Sequence, residues 1–581
     1  MVAAALVAST AIGARLSGRP RSVRDFFLAG RNLPWWAVSA SIVATEISAV
    51  TYISVPSVVY RPGGNLTYLQ LGLFGSLIAR LIVGYALVPV YYRREIYSPY
   101  DFLGRRLGEP ARRLSSGLFA LGGLLAQASR VYLTAVVLQV ILARELAWIE
   151  GATGVDPLTA SVAAIGAVAV LWTWLGGIAT VVWTDAVLFG LFLLGLAVSL
   201  LALSGTLDGG LSTAFRDGAA AGKFAFFDFD TDPTRAYTFW VALLAAPWSG
   251  VAAYGTDQLM AQRVLCCRSA AEARWAVIAS IAAMAITFGV ALVGIGLWAY
   301  YRAHPATGAA LALIEEDPDR VFPVFIVQAL PAGLRGLVLA GAFAAAISSL
   351  DSILAALAQT TLSTLYLPWR ERRGPVDSAH ALRVSRGLVL LWGIALCAGA
   401  AALEEVARAF ASLLDLALAM ASYTGGPLLA ALALALWPSR QGGGRGASDS
   451  GAGELRDASG WLWSAPLAVL AVFALAWHQP AARLLVDVAL ATAALLWIAL
   501  RGRGRPRRAA LTTSGWMALL LALIWGLSRY AYVPLLAAPG QPAGYAVLAW
   551  PWWTLCGAAV AFVFGLLLRR PPGLACDAAE P

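Results

Sequence analysis

The sequence predicts an all-α integral membrane protein that crosses the bilayer many times. Of its 581 residues, 60% are hydrophobic and only 13% are charged, whereas soluble domains carry about 25% charged residues. The deficit runs along the whole chain, with a mean hydropathy of +0.73, so one large soluble core does not account for it. Apolar stretches of about 18 residues or more, each long enough to cross the hydrocarbon layer, recur from one end to the other.

Taken in order, the candidate spans are 1–14, 35–60, 66–92, 113–143, 157–175, 179–204, 237–265, 271–303, 333–366, 380–403, 406–436, 459–477, 482–501, 512–530 and 543–568, about 14–15 transmembrane helices. The first is short and lacks the basic start of a signal peptide, so it reads as the clipped beginning of a genuine helix. Arginines fill alternate connections: Arg15 to Arg24, Arg93 to Arg113, Arg263 to Arg274, Arg370 to Arg386, Arg440 with Arg445, Arg501 to Arg508, and Arg569 with Arg570. The opposite connections carry Glu145 to Asp156, Asp228 to Asp232, Glu315 to Asp319, and Glu404 with Glu405. This alternation predicts a multi-pass protein of the cell inner (plasma) membrane, with the N-terminus outside and the C-terminus cytoplasmic. Two outer loops, 205–236 and 304–332, are long enough to fold. The Gly-rich stretch inside 437–457 reads as a flexible linker.

The net charge of +10 therefore belongs to loop arginines facing the lipid bilayer, and no nucleic acid partner is expected. Lys223 is the only lysine; the other basic residues are arginine. The five cysteines form no metal-ligand spacing and the three histidines are scattered. A His/Cys metal site and a disulfide framework are both disfavoured.

Ionisable groups inside spans cost about 2.5–3.5 kcal/mol each at the bilayer centre, so they face the bundle interior and find partners. Glu46, in "SIVATEISAVTY", has no basic residue within ten positions on either side. Arg80, Arg130, Asp185, Asp257, Asp351 and Asp415 are the others. The span 35–60 carries Pro56, and the span 237–265 carries Pro247, Gly250 and Gly255. Interrupted segments at corresponding places in two halves point to a transporter's binding site. Ser348 and Ser349, in "AAAISSLDS", are two adjacent hydroxyls suited to a hard cation. On spacing alone, serines bonded to their own i−4 carbonyls are the stronger reading.

Six stretches in order carry a family resemblance: "DFFLAGRNLPWW" (25–36), "ATEISAVTYISVP" (44–56), "EIYSPYDFLGRRLG" (95–108), "LGGIATVVWTDAV" (175–187), "YGTDQLMAQRVL" (254–265) and "AAAISSLDS" (344–352). Over about residues 22–436 the chain resembles the sodium:solute symporters. The resemblance implies a LeuT-type fold of 5+5 inverted repeats with extra flanking helices. The divisions would be 1–33 (flanking helix and basic loop), 34–204 (first repeat), 205–236 (outer loop), 237–436 (second repeat), 437–457 (linker) and 458–581 (C-terminal helices). It implies Na⁺ as the coupling ion, held by the carbonyls of Ala44, Ile47 and Ala345 and the hydroxyls of Ser348 and Ser349. A second Na⁺ would use Asp185, Ser348 and Ser352, with Asp351 standing where some members have a third hydroxyl.

The same resemblance turns Glu46 toward the solute cavity. Its carboxylate there either attracts the ion, binds a positive group on the solute, or pairs with Arg130 or Arg80. An arginine at the place of Arg130 engages a carboxylate in sialic-acid-type members. Ser48, Thr51, Ser76, Trp248, Tyr254, Asp257 and Gln258 complete the expected pocket. The expected function is sodium-coupled import of a small organic solute, carboxylated or a sugar or polyol, by alternating access, with no enzymatic chemistry. A proton-coupled transporter of the same fold and a transporter-like sensor are the alternatives.

Overall fold

A computed structural model describes residues 31–96, 98–175, 178–375, 377–407, 413–437, 458–477, 480–501, 507–530, 533–534, 545–546 and 548–568. The expected span 1–14 lies outside them. The later expected spans through 512–530 fall largely on helix, and 543–568 does so only from Pro551 onward, after the short strand Tyr545–Ala546. The first core span is broken into α1 (Trp35–Glu46) and α2 (Ala49–Tyr60). Then follow α3 (Leu71–Arg93), the short α4 (Pro99–Leu107), α5 (Glu109–Ile141), α6 (Pro157–Leu175) and α7 (Ile178–Thr206). The second half again opens on a broken span, α8 (Phe239–Leu244), α9 (Ala246–Val251) and α10 (Gln258–Val264). It continues through α11 (Ala270–Ala303), α12 (Ala332–Thr361), α13 (Ser378–Ala407) and α14 (Leu413–Leu436). The C-terminal helices are α15 (Ser459–Ala476), α16 (Pro480–Arg501), α17 (Arg507–Tyr530) and α18 (Pro551–Leu567).

Among the described residues, 9 helices are long and apolar enough to cross a membrane, or up to 11 if each sharply bent pair is one span. The figure is below the expected count because α8–α10 are short pieces, α18 has 17 residues, and α12 counts only as the shorter apolar stretch Gly333–Phe343. Helix α12 is the hub. It packs on α1, α2, α5, α6, α7 and α13, which places "AISSLDS" at the centre of the molecule. α15 and α18 dock on α14, and with α16 and α17 build a separate apolar seam around Leu467, Val486, Met517, Leu520, Ile524 and Phe564.

The breaks do not fall where proline and glycine alone would put them. Pro56 lies inside α2, and the first break is at Ile47 and Ser48, whose φ/ψ values of −80/94° and −101/179° are extended. Pro56 instead brings its helix close to α11: a Cβ on Gly294 would sit 2.5 Å from the Pro56 carbonyl oxygen. In the second broken span a π-helical turn, Ala252–Thr256, ends at Asp257. The Asp257 carboxylate then accepts from the Leu259 amide at 2.8 Å and caps the next half-helix.

Local signals set the shorter elements. Ser98 caps α4 by accepting from the Tyr100 amide, with Asp101 in the first turn and Arg105 and Arg106 in the last, the charge order that the helix dipole favours. The two long outer loops fold, as their length predicts, into helices Gly210–Ala220, Gly308–Glu316 and Val321–Ala329. In the first of these loops the Lys223 ammonium donates to the carbonyls of Val59 at 2.8 Å, Tyr60 at 3.3 Å and Arg61 at 2.7 Å. It thereby satisfies the open end of α2.

At the opposite face of the bundle, the Leu33 amide donates to the Cys266 carbonyl at 3.1 Å and forms an isolated parallel bridge with Cys267. The Tyr92 hydroxyl donates to the carbonyls of Val264 and Cys267, both at 2.9 Å. These bonds stitch the entry of α1, the end of α3 and the turn after α10 together.

Candidate functional site

The site forms where the first break meets α12. A helix that ends at Glu46 leaves its last carbonyls without intrahelical partners. The Ile47 amide still bonds Val43 and the Tyr52 amide bonds Ser48, so the interruption covers the stretch that contains Ala44 and Ile47. Both of these residues are buried, as is Ser48. Ser349 on α12 is fully buried, and α12 packs against both halves of the broken span. Backbone carbonyls and a hydroxyl form an all-oxygen donor set, the chemistry a hard monovalent cation requires. The side chains of Ala345 and Ser348 lie outside the described residues.

Glu46 is paired. Its carboxylate accepts from Arg80, whose side chain is fully buried while Glu46 keeps 22% exposure. Arg80 also donates to the Ser280 hydroxyl at 2.9 Å and lies over the Tyr254 ring, 4.5 Å from its centroid. The Tyr254 hydroxyl is 3.4 Å from Ser76 Oγ. The expected residues Glu46, Ser76 and Tyr254 are thus one wall, with Arg80 as the group that joins them.

Arg130 is not part of this pair. Among the described residues its guanidinium makes no hydrogen bond or ion pair, although it feels the charges of Asp257 and Glu46. Glu46, Thr51, Ser76, Arg130 and Asp257 each keep some accessible surface. Gln258, next to Asp257, is buried with its side-chain carbonyl unpartnered. Trp248 departs from expectation. It is 40% exposed, because Pro247 and Val251 occupy the buried side of α9.

A second buried cluster lies beside the first. Asp185 on α7 is fully buried and accepts from Ser41 Oγ at 2.7 Å and from Arg263 Nη2 at 3.2 Å. Arg263 also donates to Ser41 Oγ at 3.0 Å, to the Leu259 carbonyl at 2.8 Å and to Ser352 Oγ. Ser352 donates to Asp351 at 3.1 Å. The sequence places Arg263 with the loop arginines, but in the structure it is 1% exposed. The missed signal is the intramembrane Asp185, which required a cation from another helix. Asp185 and Asp351 are the carboxylates and Arg263 the cation of this cluster among the described residues. Asp415 stands apart, accepting from Tyr237 and Trp550, both at 2.8 Å.

Two broken spans, opposed across a bundle with an oxygen-lined break and buried charges, define a secondary transporter of the membrane. The model of the sodium:solute symporter family matches residues 26–448. The chain belongs to that family, whose members are transporters and not enzymes. It is 29% identical over 438 residues to human sodium-coupled monocarboxylate transporter 1, covering 74% of this chain and 67% of that one. To the sodium-dependent multivitamin transporter of Oryctolagus cuniculus it is 28% identical over 436 residues, covering 74% and 65%. The chain therefore spans about two thirds of the length of these relatives. The solved substrate-bound, outward-open state of a Na⁺-coupled sialic acid symporter superposes with a TM-score of 0.65 at 24% identity, covering 81% of this chain and 90% of that one. That likeness bears out the LeuT-type fold.

Proposed function

We propose that the protein imports a small monocarboxylate together with Na⁺ across the plasma membrane, with its N-terminus outside. The observation that carries the solute class is Arg130, an arginine inside the bundle with no ion-pair partner among the described residues. A guanidinium forks onto a carboxylate through two parallel bonds. Glu46 is neutralised by Arg80, so it offers no free anion to an amine. The names of the relatives, monocarboxylate and vitamin transporters, agree with a carboxylated solute. Thr51, Ser76, Tyr254, Asp257 and Gln258 line the rest of the pocket in this reading.

Na⁺ is held by the carbonyls of Ala44, Ile47 and Ala345 and the hydroxyls of Ser348 and Ser349, bridging the broken span and α12. A second Na⁺ is held by Asp185, Ser348, Asp351 and Ser352, oxygen donors of the kind a hard cation takes. Each ion entering down a membrane potential contributes about 2.3 kcal/mol per 100 mV. Coupling arises because the ion favours one arrangement of the broken span against α12 over the other. The break is the hinge and needs no bond chemistry.

Uptake into proteoliposomes tests this. An inward Na⁺ gradient should drive accumulation of a labelled short-chain monocarboxylate, and an equal K⁺ gradient should not. Ser349→Ala should raise the sodium half-saturation about tenfold. Arg130→Lys should raise KM for the carboxylate about tenfold while leaving the melting temperature unchanged, since lysine keeps the charge and loses the fork. Sodium-driven uptake of a hexose but of no carboxylate would refute the solute assignment. Uptake indifferent to sodium would refute the coupling ion.

A further inference from the structure

A groove of about 1040 Å³ runs along the outer surface between α6 and α13, and no residue of the broken spans lines it. Its walls include Val170, Leu171 and Trp174 on α6, and Leu390, Ile394 and Ala398 on α13. Leu171, Leu390 and Ile394 are 57%, 54% and 60% exposed, as befits side chains that meet hydrocarbon. The two helices approach closely at this seam because Gly393 faces Val170 and Gly166 faces Cys397. From Thr159 to Trp174 the α6 wall rises roughly 22 Å, more than one leaflet of a hydrocarbon core about 30 Å thick.

The charge is all at one end. Arg383 and Arg386 line the groove only where α13 begins and α6 ends. Arg386 lies over the Trp174 ring, 4.9 Å from its centroid, and is exposed at the mouth. Arg383 has no ion-pair partner among the described residues. Arg370, Arg372 and Arg373 lie just upstream on the same connection, which the arginine distribution places on the cytoplasmic side. A long apolar trough with paired cations at one end has the polarity of an amphiphile with an anionic head.

We propose that this groove is a binding site for an anionic phospholipid of the cytoplasmic leaflet. Arg383 and Arg386 hold the head-group phosphate and the α6–α13 trough holds an acyl chain. The occupant is a lipid and not a second protein chain because the trough carries no polar rim along its length. The mobile partner in alternating access is the bundle of broken spans, so a lipid here would anchor the opposing helices.

Native mass spectrometry of the delipidated full-length protein in detergent tests the assignment, with dioleoylphosphatidylglycerol and dioleoylphosphatidylcholine as probes. Wild type should retain the first about tenfold more tightly than the second. Arg383→Gln/Arg386→Gln should hold both equally. Gly387→Trp should lose the tightly held phosphatidylglycerol with both arginines intact. The Cβ of Gly387 meets nothing within 4 Å, so the indole enters the groove without disturbing the helix pair. Equal retention of the two lipids by wild type would overturn the proposal. So would phosphatidylglycerol binding unchanged in the arginine variant, or a homodimer whose cross-links run through Leu390 and Leu391.

Discussion

Glu46 and Arg80 show how one residue's charge is made tolerable inside a membrane bundle. Each would be costly alone; as a pair backed by Ser280 and the Tyr254 ring they form a wall. Removing one partner leaves the other buried and uncompensated, at a cost of about 3 kcal/mol or more. Glu46→Gln should therefore lower the melting temperature of the detergent-purified protein by several degrees. The double variant Glu46→Gln/Arg80→Gln should recover part of that loss, and a double-mutant cycle measures the coupling. Asp351 calls for a different measurement. If it completes a second ion site with Asp185, Asp351→Asn reduces the Hill coefficient of sodium activation from about 2 toward 1. Its effect on the carboxylate KM at saturating sodium should be small.

At the scale of single elements, the helices themselves were legible. Hydropathy runs and alternating arginines located each described span within a few residues. The breaks were legible only in kind. Pro56, Pro247, Gly250 and Gly255 mark the right spans, yet the chain opens at Ile47–Ser48 and Asp257. The break is set by what the freed backbone meets: Asp257 caps its own half-helix, and Glu46 is drawn to Arg80 on another helix. Such partners are remote in sequence, with 34 positions separating Glu46 from Arg80 and 78 separating Asp185 from Arg263. No local pattern announces them. Trp248 lies on the exposed side of α9, and only packing decides which side of that short helix is buried.

The single lysine is the clearest case of an element held from outside. Burial pushes the Lys223 ammonium down to about 8, below the ordinary lysine value near 10.5. The unfolded chain thus binds a proton that the folded protein releases between pH 8 and 10.5. By linkage, this group's contribution is present above about 10.5 and is lost as pH falls through about 8. Wild type should therefore gain thermal stability relative to Lys223→Met as pH rises from 7.5 to 10, read by melting in detergent. A flat difference would mean that the three carbonyls holding the ammonium offset its desolvation, so that the fold does not disfavour the charged form.

The whole molecule divides into parts that move and parts that hold. The hub helix α12, with α5, α6, α7 and α13, presents a continuous packed face. The broken spans pack on that face through α12, where the proposed ion site lies. The C-terminal helices α15–α18 add a separate seam; α15 and α18 pack on α14, and α18 also packs on α9 of the second broken span. Their contribution is to support a helix that borders the pocket.

The bridge between Leu33 and Cys267 sits at the foot of both broken spans. With Tyr92 bonded to the same turn, the entry of the first broken span and the exit of the second are tied at that face. We expect such a tie to disfavour half-open states, in which an ion would pass while its passenger stays behind. Leu33→Pro removes the amide donor that closes the bridge and also the buried Leu33 side chain, a combined cost to folding of about 2–4 kcal/mol. It should raise sodium leak without solute in proteoliposomes while solute binding is preserved. Tight gearing of this kind sets how much of the ion gradient reaches the cargo, and here one backbone amide carries part of that thrift.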